Sequence, residues 1–327
     1  MKAVVIVKKE GQETPDLEYI EVPDPVQESN ELLVKVKSVG VNRIDLRRST
    51  AHGAPSEGKP LIAGLEMAGE VVAVGDKTSG FAVGDRVMGM TTGAYAEFAT
   101  IDYRFALKVP RSFSYDQACA IATVYPTAHN ALVTNGGFTA GKSVLIQGVG
   151  AAVGIASLQI AKALGASIVI GTGISEGVAP RLKELGLDVF VKADKGSIVQ
   201  DVLNATSGKG ADIVIDMVGG PAIDDNINTA ALGGTIVNVG WVGSTTGEID
   251  LDNLARKRLK LIGVSFRTRS AEQKEELYRV YQNDVYPFYE DGTITPVIYK
   301  NYPLKDAAKA QGDMSKDAHF GKFILNP

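Results

Sequence analysis

The sequence predicts a two-part α/β protein in which a doubly wound parallel sheet is set into a β-rich partner. Three observations predict it. From Met1 to about Lys108, short β-branched runs are separated by Gly, Pro, Asp and Ser. After about residue 122, short apolar runs alternate with amphipathic helical segments. The first such alternation, VLIQGVGAAVGIASLQIAKALGA (144–166), holds Gly148, Gly150 and Gly154 between an aliphatic run and an Ala/Leu/Ile run.

The early runs are AVVIV (3–7), LLVKVKSV (32–39), GEVVAV (69–74), DRVMGM (85–90) and AYAEFAT (94–100). Residues 32–37 alternate apolar and polar, as a half-buried strand does. GDKTSG (75–80) and VGD (83–85) are turn signals. This part reads as mostly antiparallel. In the second part, strand and helix candidates alternate. SVLIQ (143–147) precedes the helix 153–165, and SIVIGT (167–172) precedes RLKELG (181–186). VFV (189–191) precedes 197–208, and DIVIDMVG (212–219) precedes a helix over 221–232. GTIVNVG (234–240) and LKLIGVSF (259–266) add two strands. Such alternation specifies a parallel, doubly wound sheet. Gly165, Gly186 and Gly208 stand at expected helix C-termini. The tail holds a charged helix (271–284), a turn DGTITP (291–296), a last helix and the strand GKFIL (321–325). The expected division is a discontinuous domain of residues 1–122 and 267–327 around a nucleotide domain of residues 123–266.

Composition removes several function classes. The 327 residues carry 34 basic and 38 acidic side chains, a formal charge of −4, and no long basic block. A nucleic-acid partner is therefore not indicated. The single cysteine, Cys119, excludes an internal disulfide and a four-thiolate metal site. The uncharged stretch Ser143–Ala161 contains three glycines and two glutamines, so a strand followed by a helix explains it better than a bilayer span. The start, MKAVVIVKKE, lacks the apolar core of a signal peptide. The expected location is the cytoplasm.

The glycine turn lies between a strand and a helix, with a second strand to follow. Missing side chains let backbone N–H groups approach a pyrophosphate, and the helix N-terminus adds partial positive charge. The implied ligand is a dinucleotide on a Rossmann domain. An acidic residue ending the second strand would select NAD. That region reads IVIGTGISEG (168–177), where Gly171, Thr172, Gly173 and Ser175 leave room for a 2′-phosphate. Arg181 and Lys192 are the nearest cations, and Glu176 is the contrary signal. NADPH is the expected cofactor, with NADH as the alternative.

Several motifs together resemble the medium-chain dehydrogenase/reductase superfamily, and within it the zinc-independent, quinone oxidoreductase-like branch. They are VGVNRIDLR (39–47), GLEMAGEVVAVG (64–75), FAVGDRV (81–87), GAYAEFA (93–99), TAHNAL (127–132), the glycine turn, IDMVGG (215–220), GGTIVNVG (233–240) and the closing GKFIL. The resemblance runs almost end to end. It implies a GroES-like β-domain plus a Rossmann domain, a small-molecule electrophilic substrate, and a homodimer or tetramer. Zinc-dependent relatives hold a catalytic metal with cysteine, histidine and cysteine or aspartate; the matching positions here are Asn42, Leu65 and Thr123. The four-cysteine structural zinc lobe is missing. The resemblance therefore implies a protein without zinc. His52, His129 and His319 are scattered and read as surface or cleft polar groups. The chain departs from the branch in three places. It has AAVG (151–154) where GGVG is usual, Val178 where a lysine often follows the second strand, and Ala193 where a tyrosine is common.

The residues expected to contact the cofactor are Asn42, Thr127, Gly148, Gly150, Ala152, Val153, Gly154, Thr172, Ser175, Arg181, Lys192, Val218, Gly240, Trp241, Phe266 and Lys322. Asn42, Arg47 and His52 are the catalytic candidates. Asn42 can donate to a ribose or a carbonyl, or satisfy a turn. Arg47 can steady an enolate, whereas Arg48 reads as a solvated charge. His52 is a possible proton donor by position. Tyr125 and Thr127 begin the helix leading into the second domain, and Thr127 is either a cofactor contact or an N-cap. Trp241 is either a lid or a packing aromatic.

Hydride transfer charges the acceptor. A simple ketone concentrates that charge on one oxygen and calls for a Lewis acid or a proton donor. A quinone or enone spreads it. The expected activity is reduction of a quinone or an α,β-unsaturated carbonyl. A biosynthetic enoyl reductase and a non-catalytic nucleotide-binding protein are the alternatives.

Overall fold

The computed structural model describes the chain apart from residues 9–14, 47–59, 194–197 and 317–318. The chain divides into two units. One comprises Met1–Thr123, Ala271–Arg279 and Pro296–Pro327; the other comprises Val124–Ser270 and Val280–Thr295.

The first unit begins with an antiparallel pair, β1 (Lys2–Val7) and β2 (Asp16–Glu21). Then come β3 (Glu31–Val41), β4 (Glu66–Val74), β5 (Arg86–Met90), β6 (Phe98–Asp102) and β7 (Ala106–Lys108). Leu32, Val34 and Val36 are buried and Lys35 is exposed, as the alternation of β3 requires. The expected strand 94–100 forms only from Phe98. Tyr95 instead turns into the core and donates its hydroxyl to the buried Asp45 at 2.9 Å. Helix α1 (Tyr115–Ile121) starts at a reciprocal capping box between Ser114 and Gln117.

The second unit opens with α2 (Val124–His129), which widens into a π-helical turn, Asn130–Asn135. There follow β8 (Ser143–Ile146), α3 (Ala152–Ala163), β9 (Ile168–Gly173), α4 (Ala179–Glu184), β10 (Val189–Lys192) and α5 (Ile198–Ala205). Next are β11 (Ala211–Asp216), α6 (Ile223–Thr229), β12 (Ala230–Asn238), α7 (Leu251–Arg256) and β13 (Lys260–Gly263); α8 (Ala271–Glu290) follows, belonging to the first unit up to Arg279 and to the second from Val280. The strands lie in the order β10-β9-β8-β11-β12-β13, and every pairing is parallel. Leu145, Ile170, Val214 and Ile236 line the core beneath α5 and α6. This is the doubly wound arrangement, with its switch point between β8 and β11.

Two boundaries differ from the expectation. Helix α6 stops at Thr229 rather than near Leu232, because the Lys257 ammonium gathers the carbonyls of Ile227, Asn228 and Ala230 at 2.9, 2.6 and 3.0 Å. Those are the acceptors a helix C-terminus leaves open. Helix α8 runs to Glu290 rather than ending at 284. Tyr281, Val285 and Tyr289 are buried along one face, and Asp284 meets His129 at 2.7 Å.

The chain then returns to the first unit as β14 (Ile298–Pro303), α9 (Ala307–Met314) and β15 (Lys322–Asn326). Strand β15 lies parallel to β14 and antiparallel to β3. The resulting order is β14-β15-β3-β4-β5-β7, with β6 also on β3. This hub places Asn42, just past β3, next to the first residues of β4 and β15.

Gly165 and Gly186 adopt left-handed φ values of 87° and 100° one residue past their helix caps, as the sequence indicated. The third helix end differs. After α5 two consecutive residues are left-handed: Ser207 (φ 53°) takes the position that Gly165 and Gly186 hold, and the expected Gly208 (φ 80°) follows it. A non-glycine residue there carries about 1 kcal/mol of strain, partly offset by the freer unfolded chain of glycine. Ser207→Gly is expected to raise stability by up to about 1 kcal/mol, read as a higher urea midpoint.

His129 is fully buried and is pushed below the ordinary histidine range, chiefly by burial and against the pull of Asp284. The unfolded chain takes up its proton near pH 6.5 and the folded chain at a lower pH. Stability present above pH 6.5 is thus lost as pH falls from there through the folded value. His129→Gln should flatten the decline of the urea midpoint between about pH 6.5 and 5 relative to wild type.

Candidate functional site

The strand order directs attention to the carboxyl ends of β8, β9, β11 and β12, where doubly wound sheets receive their ligands. After β8 the chain turns through Gly148, which has φ 72°. A Cβ placed at Gly148 meets nothing within 4 Å, and one at Gly150 meets only Val178 Cγ2 at 3.9 Å. Gly154 differs. A Cβ there strikes the Gly148 carbonyl at 2.6 Å and Val149 Cα at 2.7 Å, so its hydrogen lets α3 sit down on the turn. Two glycines thus keep the approach open and the third sets the packing. Ala151 is the N-cap of α3, with extended backbone (φ −73°, ψ 158°) and no side-chain cap bond, and Ala152 and Val153 open the helix. An extended N-cap needs no glycine, which accounts for AAVG in place of GGVG. The uncapped first turn presents N–H donors and the positive end of the helix dipole. The residues present fit a pyrophosphate.

A buried polar relay holds this turn. Thr172, at the end of β9, donates to Gln147 Oε1 at 2.6 Å, and its hydroxyl accepts from the Gly148 N–H at 3.2 Å. Gln147 in turn donates to Asn226 Oδ1 at 2.8 Å. Thr172, expected among the cofactor contacts, is only 1% exposed and serves to position the turn. Asp216 ends β11 fully buried. It accepts from the Val218 and Gly219 N–H groups at 2.8 and 3.0 Å and from Asn238 Nδ2 at 3.2 Å. Burial outweighs these bonds and holds its carboxyl above the ordinary aspartate range. Its backbone carbonyl receives Val239 and Gly240. Asp216 therefore shapes both loops that carry Val218, Gly240 and Trp241. Gln147, Asp216, Asn226 and Asn238 were not singled out from the sequence. The legible signal was a polar residue closing an apolar strand, as in VLIQ and IVID.

Trp241, 40% exposed, and the half-buried Phe266 follow β12 and β13 at the same edge. Thr127 lies half-buried on α2. Tyr125 belongs to the interior. Its hydroxyl receives Gln159 Nε2 at 2.9 Å and donates to the Thr295 carbonyl at 3.4 Å, and burial raises its pKa. Beyond β9, Ser175 and Arg181 are exposed. Lys192 lines a groove beside β10 with Lys183, Glu176 and Phe190, and neither Ser175 nor Arg181 lines it. Lys183 was not among the expected cations.

In the first unit, Asn42 meets a buried ion pair. Lys322 Nζ lies 2.5 Å from Glu66 Oε1, with side chains 3% and 0% exposed. Asn42 Nδ2 donates to that same oxygen at 2.8 Å, and its Oδ1 accepts from Lys322 at 2.6 Å. Its backbone N–H donates to Asp45 at 2.8 Å. Asn42 is thus locked in orientation, and Lys322 stands as a counter-ion inside this cluster. Arg47, Arg48 and His52 lie outside the described residues. Among the described residues no group of three or more His, Cys, Asp and Glu is arranged to hold a metal ion. Burial raises the Cys119 thiol pKa, which keeps it a thiol. His129 is not the surface or cleft group expected; it is interior and bound to Asp284. His319 packs edge-on against Phe323, with centroids 4.9 Å apart.

Two family models match the chain: "Alcohol dehydrogenase GroES-like domain" over residues 28–111 and "Zinc-binding dehydrogenase" over residues 152–282. The quinone oxidoreductase of Rattus norvegicus is 31% identical over 99% of this chain and 97% of its own. The polyketide synthase GfsB of Streptomyces halstedii is 30% identical over 91% of this chain, a span that is 5% of that protein. The solved structure of mycobacterial Rv1454c complexed with NADPH superposes with a TM-score of 0.87 at 28% identity, covering 100% of both chains. The chain belongs to the quinone oxidoreductase-like family of medium-chain dehydrogenases/reductases and is an NAD(P)H-dependent oxidoreductase with a GroES-like and a Rossmann domain.

Proposed function

We propose that this protein is an NADPH-dependent reductase that delivers hydride to quinones or α,β-unsaturated carbonyls without a metal. The donor set carries the reading. At the positions that the resemblance matches to the zinc ligands of zinc-dependent relatives, this chain carries the amide of Asn42, the alkyl side chain of Leu65 and the hydroxyl of Thr123. None is a good zinc ligand. The amide, moreover, is engaged by Glu66 and Lys322.

A bound dihydronicotinamide supplies the hydride. The chain supplies binding and orientation. Gly148 and Gly150 admit the pyrophosphate to backbone N–H groups, and the first turn of α3 adds its dipole. Asp216 fixes the loops bearing Val218, Gly240 and Trp241, so the edge is preorganised. A conjugated acceptor distributes the incoming charge, which hydrogen bonds suffice to stabilise. Lys183 and Lys192 are the cations offered to a 2′-phosphate. The relative within a polyketide synthase supports enoyl reduction as the second reading. The proposed setting is a cytoplasmic homodimer or tetramer; among the described residues no helix is long and apolar enough to cross a membrane.

The deciding experiment follows NADPH oxidation against quinones, enones and enoyl thioesters, with zinc measured in the same preparation. Efficient oxidation of plain alcohols alongside stoichiometric zinc would overturn the reading. Cofactor binding without turnover of any conjugated acceptor would point to a non-catalytic nucleotide-binding protein.

Two variant pairs probe the cofactor assignments. Lys183→Ala and Lys192→Ala should each raise KM for NADPH relative to KM for NADH by about tenfold, measured by steady-state kinetics with both nucleotides. Gly150→Val fills open space, so it should weaken both nucleotides by about tenfold while Tm moves little. Gly154→Val forces α3 off its turn and should cost about 3 kcal/mol or more of stability.

A further inference from the structure

Past β13 the chain closes a short turn at the carboxyl edge, in which the Arg269 N–H meets the Phe266 carbonyl at 3.3 Å. The turn carries two guanidinium groups. Arg267 is exposed; Arg269 is half-buried and held rigid, its Nε donating to the Ser265 carbonyl at 3.2 Å and its Nη2 to Asn130 Oδ1 at 3.3 Å. Both acceptors are neutral. Among the described residues neither guanidinium has a carboxylate in ion-pair contact.

Asn130, fully buried on the π-helical turn, shares its side-chain oxygen between Arg269 and Asn135, while its side-chain nitrogen has no hydrogen-bond partner. Two cations earlier in the chain have partners. Lys257 closes α6, and Arg256 pairs with Asp252 at 3.1 Å. The chain as a whole has more acidic than basic residues, so a shortage of carboxylates is not the reason. A half-buried cation with no counter-charge, beside an unsatisfied amide, is unfavourable until an anion arrives.

Position says which ligand. The ribose selectivity of a doubly wound sheet sits at the end of its second strand, here β9, so the nicotinamide half lies across the switch point over β11 and β12. The next strand outward is β13. Its turn lies at the same carboxyl edge, one strand beyond that half, with the apolar Phe266 in it and Trp241 following β12.

We infer that the Arg267–Arg269 turn, backed by Asn130, binds an anionic group of the acceptor, a carboxylate or a phosphate, on a conjugated apolar body. This rests on the enone-reductase reading above. The test compares trans-3-benzoylacrylic acid with its methyl ester as acceptors for NADPH. The acid is expected to exceed the ester in kcat/KM by about tenfold or more. Arg269→Gln should cut that ratio about tenfold, and Arg269→Lys should restore part of it. Added chloride should lower the ratio. Inorganic phosphate competing with the acid would assign the site to phosphate esters, and its failure to compete would assign it to carboxylates. If Arg269→Gln does not fold, Arg267→Gln is read in the same ratio. Equal use of acid and ester, or a ratio unmoved in both variants, would overturn the anion site while leaving the enone reading intact. Turnover of neither compound would remove the enone reading and this inference with it.

Discussion

The seating of α3 on the turn that follows β8 is the contact on which the rest depends. Gly154 has no room for a Cβ against the Gly148 carbonyl and Val149. That closeness aims the uncapped first turn of the helix over the sheet edge. A helix held further out would present the same donors to water. The turn cannot relax, because Thr172, Gln147 and Asn226 tie β9, β8 and α6 together at that edge through buried hydrogen bonds. Buried amides left unpaired would cost about 1–3 kcal/mol each, so the relay holds as a unit.

Buried charge is used in two ways. Asp216 is a carboxylate surrounded by N–H donors rather than by a cation, and it organises two loops at once. Its raised pKa shows that desolvation prevails over those bonds. Glu66 and Lys322 are a direct pair with Asn42 across them. Such pairs add little net stability compared with apolar packing, yet removing one partner is costly. Both arrangements therefore specify orientation more than they stabilise the fold.

Much of the fold and of the turn geometry at the candidate site was legible in the sequence, and the limits have physical causes. Gly148 and Gly150 announced themselves because backbone access to a phosphate leaves few residue choices. Gly165 and Gly186 did so because left-handed backbone favours glycine. Gly208 is left-handed too, but Ser207 escaped notice because it is an ordinary residue that shares that conformation just before the glycine. The bond from Thr172 to Gln147 was not legible, since a strand-terminal hydroxyl looks the same whether it faces solvent or a buried amide. His129 looked isolated because its partner, Asp284, lies 155 residues away.

The sequence by itself determined the alternation of strand and helix and the glycine turn between β8 and α3. Each follows from residue type and local spacing, which act over a few residues. Only the tertiary structure decided which polar groups are committed to one another. Glu66 finds Lys322, Gln147 finds Asn226, and Arg269 finds Asn130 rather than an acid. Those choices depend on strand order and burial, and desolvation makes every buried polar group take the partner that topology brings within reach.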